Sequence, residues 1–295
     1  MTKKQHPITT TTIIITIIIL IGYTTYKNLT KQTNSFDGSR ALQNAAYQVS
    51  LGPRTMGSNA HAQVVTWIDA QLKKMGWTTD IQTSTWNSQP IQNIIARRGQ
   101  GHPWIILGAH YDCRFIADKD PDPNKRSLPV LGANDSASGV AVLLELARVL
   151  PYKNKPQVWM VFFDAEDNYN IPGWEGNLGS SAFVHKLNDK PDEVIIIDMI
   201  GDSDLNIYYE LNSDQKISIE IWKQAAELGY KQFIPIEKYR IIDDHVPFLE
   251  MSIPAVDIID FDYPYWHTTM DTLDKISSAS LQAVGDTLQK WILGK

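Results

Sequence analysis

Residues 104–112 read WIILGAHYD. Trp104, Ile105, Ile106 and Leu107 are consecutive large apolar side chains, and a strand points successive side chains to opposite faces, so both faces of this strand must be covered. The run then gives way to His110 and Asp112, groups that bind metals and move protons. The pattern recurs: QVWMVFFDAED (157–167), EVIIIDMIGD (193–202) and IPAVDIIDF (253–261) each pass from an apolar run to carboxylates. Helical patterns lie between and after them, in SGVAVLLELARVL (138–150), ISIEIWKQAAELGY (217–230) and SSASLQAVGDTLQKWIL (277–293). Upstream, ALQNAAYQVSLG (41–52) reads as a helix ending at Gly52-Pro53, and AHAQVVTWIDAQLKKMG (60–76) as an amphipathic helix stopping at Gly76. Buried strands alternating with helices predict an α/β fold: a mostly parallel or mixed central sheet sandwiched by helices, in a single globular domain over residues 37–295.

The acids follow a rule of position. Asp112, Asp164, Glu166, Asp167, Asp198 and Asp202 fall at or just past the C-terminal ends of apolar strands, where open α/β sheets build their sites. They are expected to converge in one crevice, and buried carboxylates packed together are costly without a cation. Cys113 is the sole cysteine, so a metal must be held by histidine and carboxylate. The candidates lie in GAHYD (His110), GANDSASG (Asp135), DAED (Glu166, Asp167), DMIGD (Asp198) and YWHTTMDT (His267). That donor set suits catalytic zinc with an open coordination position. Glu166 and Asp167 are adjacent, so on an extended segment one can bind metal while the other faces substrate as acid or base.

With 43% hydrophobic and 20% charged residues in a chain of 295, the body has apolar content for a sizeable core. A net charge of −6 with scattered Lys and Arg supplies no basic field, which excludes nucleic acid as a partner class. Residues 1–36 differ from the rest: after MTKKQHP comes ITTTTIIITIIILIGY (8–23). Its length of about sixteen residues lies between a secretory apolar region of about 7–15 and a bilayer span of about 20. No small-x-small cleavage site follows, so an uncleaved membrane anchor is expected, with Lys3 and Lys4 in the cytoplasm and the catalytic body outside. Cleavage and secretion is the alternative.

The motifs GPRTMGSNAH (52–61), QNIIARR (92–98), GAHYD, GANDSASGVAVLLELAR (132–148), FFDAED (162–167), LGSSAFV (178–184), IDMIGD (197–202), DDHVPFLEMSIPAVDII (243–259) and YWHTTMDT (265–272) occur in one order. In that order they resemble the co-catalytic zinc aminopeptidases and their relatives, the zinc-dependent glutaminyl cyclases (glutaminyl-peptide cyclotransferases). The resemblance implies a zinc aminopeptidase-like fold with Asp135, Asp167 and His267 as ligands of one zinc and Glu166 as general acid/base. In the aminopeptidases His110 and Asp198 complete a second zinc across Asp135, whereas in cyclases the Asp198 position joins a proton-handling network.

Asp243 of DDHVPF matches the cyclases' substrate-site aspartate, and Trp266 and Trp174 resemble an aromatic pocket for an N-terminal glutamine. The expected reaction is therefore conversion of N-terminal glutamine of peptides or proteins to pyroglutamate with loss of ammonia, with Glu166, Asp198 and Asp243 handling protons. A zinc aminopeptidase holding one or two metals is the alternative enzyme. An inactive membrane-anchored binding domain is the alternative of another class, against which every candidate ligand is retained. Two positions depart from the animal cyclases, which carry Glu at Asp167 and His at Asp257. Taken alone, Asp243 and Asp244 also suit a helix cap, Trp174 a loop anchor, and His267 a packed histidine beside Trp266.

Overall fold

The computed structural model describes residues 35–151 and 156–295. The expected anchor over 8–23 lies outside these; among the described residues no helix is long and apolar enough to cross a membrane. The chain enters helix α1 (Gly38–Ser50), capped by the Asp37 carboxylate on Ser39 and Arg40 N–H, then α2 (Asn59–Lys74), capped by Ser58 on His61 N–H. A hairpin follows, β1 (Thr78–Trp86) and β2 (Gln89–Arg98), turned by Asn87 and Ser88 with φ of 44° and 66°. Left-handed backbone at both central residues is what a two-residue hairpin loop requires.

Then come β3 (Trp104–His110), α3 (Ala137–Val149), β4 (Gln157–Phe163), α4 (Leu178–Val184), β5 (Glu193–Asp198), β6 (Ile207–Glu210) and α5 (Gln215–Leu228). The chain closes with β7 (Phe233–Tyr239), α6 (Val246–Glu250), β8 (Ala255–Ile259) and α7 (Ser278–Leu293). The main sheet has the order β1-β2-β4-β3-β5-β8. Its β4-β3-β5-β8 half is parallel and the β1-β2-β4 edge antiparallel, so the sheet is mixed as expected. β6 and β7 form a separate parallel pair.

All seven residues of β3 are buried. Ile105, Leu107 and Ala109 enter a core shared with α1, α2, α3, α5 and α7; Trp104 and Ile106 enter a smaller one with Phe183 of α4 and Phe248 of α6. Helices thus cover both sheet faces, which is why the strand reads as an unbroken apolar run. Gly139 lets α3 lie against β5, since a Cβ there would stand 2.5 Å from Ile197 O.

The compact unit begins at Ser35, before the boundary read from the sequence. Phe36, assigned there to the linker, is 4% exposed; its N–H donates to Gln289 Oε1 at 3.0 Å, and its ring occupies the space a Cβ on Gly285 would need.

Candidate metal centre

Strand order reverses at β3, whose neighbours β4 and β5 lie on either side, and the crevice at such a switch point opens at the strands' C-terminal ends. His110 and Asp198 are the last residues of β3 and β5, and Glu166 and Asp167 follow β4 within four residues. Asp135 precedes α3, and His267 sits in the loop after β8. Two buried triads result, His110/Asp135/Asp198 and Asp135/Asp167/His267, with Asp135 common to both and the candidate ligand atoms of each within 4.8 Å of one another. His110 Nε2 lies 3.0 Å from Asp135 Oδ1 and 3.2 Å from Asp198 Oδ1. His267 Nε2 lies 2.9 Å from Asp167 Oδ1 and 3.9 Å from Asp135 Oδ2.

Asp167 Oδ2 is buried without a hydrogen-bond partner, and Asp135 Oδ1 has only the His110 ring nitrogen beside it, an expensive state that a cation relieves. Histidine and carboxylate donors without thiolate fit zinc, so both triads pass the test of burial and of chemistry. Ala165, Met199 and His267 hold φ of 57°, 45° and 56°. Each left-handed non-glycine residue costs on the order of 1 kcal/mol, and all three stand at or beside a site residue, where surrounding contacts must hold them.

Those contacts are specific. Asp112, fully buried, faces His110 Nδ1 at 3.4 Å and accepts Glu166 N–H at 3.1 Å and Asp167 N–H at 3.4 Å. Asp271 accepts the N–H groups of Asn134 at 2.8 Å and Asp135 at 3.1 Å, and Tyr263 Oη–H at 2.7 Å. Both aspartates orient the site. Arg114 and Asp118 were not singled out in the sequence. Arg114 grips Asp118 at 2.8 and 3.0 Å and reaches Asp167 Oδ1 at 3.4 Å, while Asp118 Oδ1 stands 3.5 Å from His267 Nδ1. Their signal was the Arg-x-x-x-Asp spacing in the loop after β3.

The electrostatics follow from burial and crowding. Burial lifts the Glu166 carboxyl well above its ordinary range; His110 pulls it down, but Asp243, Asp167 and Asp244 add to the rise. Burial likewise pushes Asp198 up to about 7 against the pull of His110. Burial would lower His267, but Asp167 and Asp118 carry it up to about 9. The Cys113 thiol, fully buried, is pushed up to about 12 and is inert packing.

Glu166, Asp198, Asp243 and Trp266 line one cavity of about 410 Å³ together with Asp135, Asp167 and His267. The Trp266 ring lies 3.9 Å from the His267 ring and 4.9 Å from Phe261. Four expectations are corrected. Trp174 does not line this cavity; it packs on Phe115 at 4.9 Å in a satellite cluster with Met56 and Leu178. Asp164 turns away to His61 Nε2 at 2.7 Å and Gln92 N–H at 2.8 Å. Asp202 lines a different cavity, with Ser203 and Asp204. Asp243 and Asp244 do not cap α6, which has no side-chain cap; both are buried. His245 lies between Glu210 Oε2 at 3.2 Å and Asp257 Oδ2 at 3.9 Å.

Comparison with known proteins agrees with this geometry. A glutaminyl-peptide cyclotransferase of Drosophila melanogaster is 25% identical over 270 residues, spanning 78% of this chain and 73% of the relative. The crystal structure of Porphyromonas gingivalis glutaminyl cyclase superposes with a TM-score of 0.81 at 30% identity, covering 88% of this chain and 98% of that one. A Zn-dependent exopeptidase from Parabacteroides distasonis gives the same TM-score, 0.81, at 30% identity, covering 88% and 99%. The family model for Peptidase family M28 matches residues 93–292, the stretch that carries β3 to β8, both triads and Trp266. The chain belongs to peptidase family M28.

Proposed function

We propose that this protein is a zinc-dependent glutaminyl-peptide cyclotransferase, forming pyroglutamate from N-terminal glutamine and releasing ammonia. The observation that carries the reading is the aromatic wall: the Trp266 ring stands 3.9 Å from the His267 ring at an interplanar angle of 32° and, with Phe261, lines the cavity that holds Glu166 and Asp243. An aromatic wall excludes water, which favours attack by the substrate's own amine over hydrolysis. Asp135, Asp167 and His267 would hold zinc. Bound there, the ion supplies Lewis acidity at the γ-carbonyl oxygen of glutamine. Asp243 and Glu166 receive the α-amino group; the buried Glu166 carboxylate takes one proton from the uncharged amine as its nitrogen attacks Cδ and returns it to the departing ammonia. Asp198, facing His110 at 3.2 Å, joins that proton path. Cyclisation is intramolecular, so orienting the glutamine side chain against Trp266 removes most of its entropic barrier.

A second reading rests on Asp135 being common to two complete triads, which suits a two-metal aminopeptidase with Glu166 as base toward water. One incubation separates the two: the zinc-loaded protein with a Gln-initiated peptide yields the pyroglutamyl peptide and ammonia by mass spectrometry. Release of free amino acids from Leu- or Ala-peptides, without pyroglutamate, overturns the cyclase reading. Protein free of stoichiometric zinc that binds none on addition overturns both. Extracytoplasmic placement through the anchor at residues 8–23 is part of this proposal, tested by protease accessibility in intact cells.

A further inference from the structure

The cavity has an acidic floor and a cationic mouth. Asp135, Asp167, Asp198 and Asp243 are buried in it, whereas Lys119 and Arg240 line it from exposed positions. Lys119 N–H donates to His267 O at 3.2 Å, and its Nζ stands 5.9 Å from the Trp266 ring. Arg240 leads from β7 into the Ile241–Asp243 segment, and its Nη1 donates to Asn212 Oδ1. Among the described residues neither cation has a carboxylate partner, whereas Arg114 is committed to Asp118 and Asp167. Tyr169 and Ile242, 51% and 62% exposed, also line this opening. In an acidic chain, two unpaired cations where the cavity meets solvent set a field that points one way. An ammonium group is drawn inward and a trailing carboxylate is held outward.

Resting on the cyclase reading above, we infer that Lys119 and Arg240 select substrates with a carboxylate one or two residues beyond the N-terminal glutamine. Extended chain advances about 3.5 Å per residue, so one or two residues advance about 4–7 Å, the scale of the 5.9 Å between the Trp266 ring and the Lys119 ammonium. The carboxylate could belong to an Asp or Glu side chain or to the free terminus of a short peptide; the chemistry read is the same.

The test compares kcat/KM of the zinc-loaded protein for Gln-Glu-Ala-amide, Gln-Lys-Ala-amide and free-acid Gln-Ala, each relative to Gln-Ala-Ala-amide, so that any general loss of activity cancels. Exposed ion pairs contribute modestly, so the acidic-to-neutral ratio is expected at about threefold per cation and about tenfold for both, falling toward one at roughly 0.5 M salt. The double variant Lys119→Gln/Arg240→Gln brings the ratio to about one, and Lys119→Glu/Arg240→Glu inverts it in favour of Gln-Lys-Ala-amide. Enhancement of Gln-Glu-Ala-amide assigns the carboxylate to a side chain; enhancement of Gln-Ala alone assigns it to a free terminus; either supports the selection. A wild-type ratio near one at low salt, or a ratio that the double variants leave unchanged, overturns it. If the wild type forms no pyroglutamate and releases amino acids instead, the cyclase reading fails. The ratio of Leu-Glu-Ala-amide to Leu-Ala-Ala-amide hydrolysis then decides the mouth separately.

Discussion

Replacing Asp271 by Asn tests whether the metal loop is held from behind. Asp271 is fully buried and accepts three hydrogen bonds: Asn134 N–H and Tyr263 Oη–H on Oδ1, and Asp135 N–H on Oδ2. Asn keeps the shape but turns one oxygen into an NH₂ group. With that group at the Oδ2 position it faces Asp135 N–H, donor against donor; flipped, it faces two donors. At least one bond to a buried carboxylate is therefore lost, worth about 1.5–3 kcal/mol, so the zinc-free protein should lose about 2 kcal/mol in urea unfolding. The displaced group is the backbone of Asp135, the residue common to both triads. Removing a partner that orients a ligand weakens metal binding about 10–100-fold. Chelator competition on the apo protein measures it. Zinc affinity within twofold of wild type, with an unchanged unfolding midpoint, refutes the argument that Asp271 positions Asp135. Tyr263→Phe removes one donor and leaves both N–H groups paired, so its cost should be about 1 kcal/mol.

Glu166→Gln should lower kcat by about 10²–10⁴-fold with zinc retained, by metal analysis of the purified variant; lost zinc would reverse the roles of Glu166 and Asp167. Trp174→Ala should leave KM for a Gln-peptide near wild type, because Trp174 lies outside the cavity, whereas Trp266→Ala should raise it; matched steady-state kinetics on the pair decide. Glu210 accepts N–H groups from Asn212, Ser213 and Ile241, and these with His245 outweigh burial and hold its carboxyl down at about 2. A folded value below the unfolded one near 4.5 gives stability that is complete above pH 4.5 and lost as pH falls toward 2, of order 3 kcal/mol. Glu210→Gln should flatten that acid limb in urea unfolding at a series of pH values, and an unchanged slope counts against it.

What the sequence made legible was whatever burial writes into a repeating pattern. β3, β4, β5 and β8 announce themselves because both sheet faces are covered, and His110 and Asp198 are visible as the places where those runs stop. The β1-β2 hairpin escaped because TTDIQTSTW lies at the sheet edge and has no fully buried position, leaving no apolar alternation to read. Asp164 was expected in the crevice because it ends an apolar run; the chain turns at the left-handed Ala165 directly after it, and its carboxylate faces His61 instead. Trp174, Arg114 and Asp118 sit in loops, whose course depends on contacts distant in sequence. Their chemistry can be read from the chain, but not what they face.

The clasp at Phe36 bears on the order in which the molecule can be made. Phe36 and Gly38 bond to Gln289 and Gln282 of the final helix, partners 253 and 244 positions away. A nascent chain cannot form those bonds until α7 has left the ribosome, so the last helix closes a core begun some 240 residues earlier. Until then the ring of Phe36 stays open to whatever holds unfinished chains apart. Residues that sit at the junction with the N-terminal segment are thereby among the last to find their places, and trimming the body at residue 37 would remove the group that waits for them.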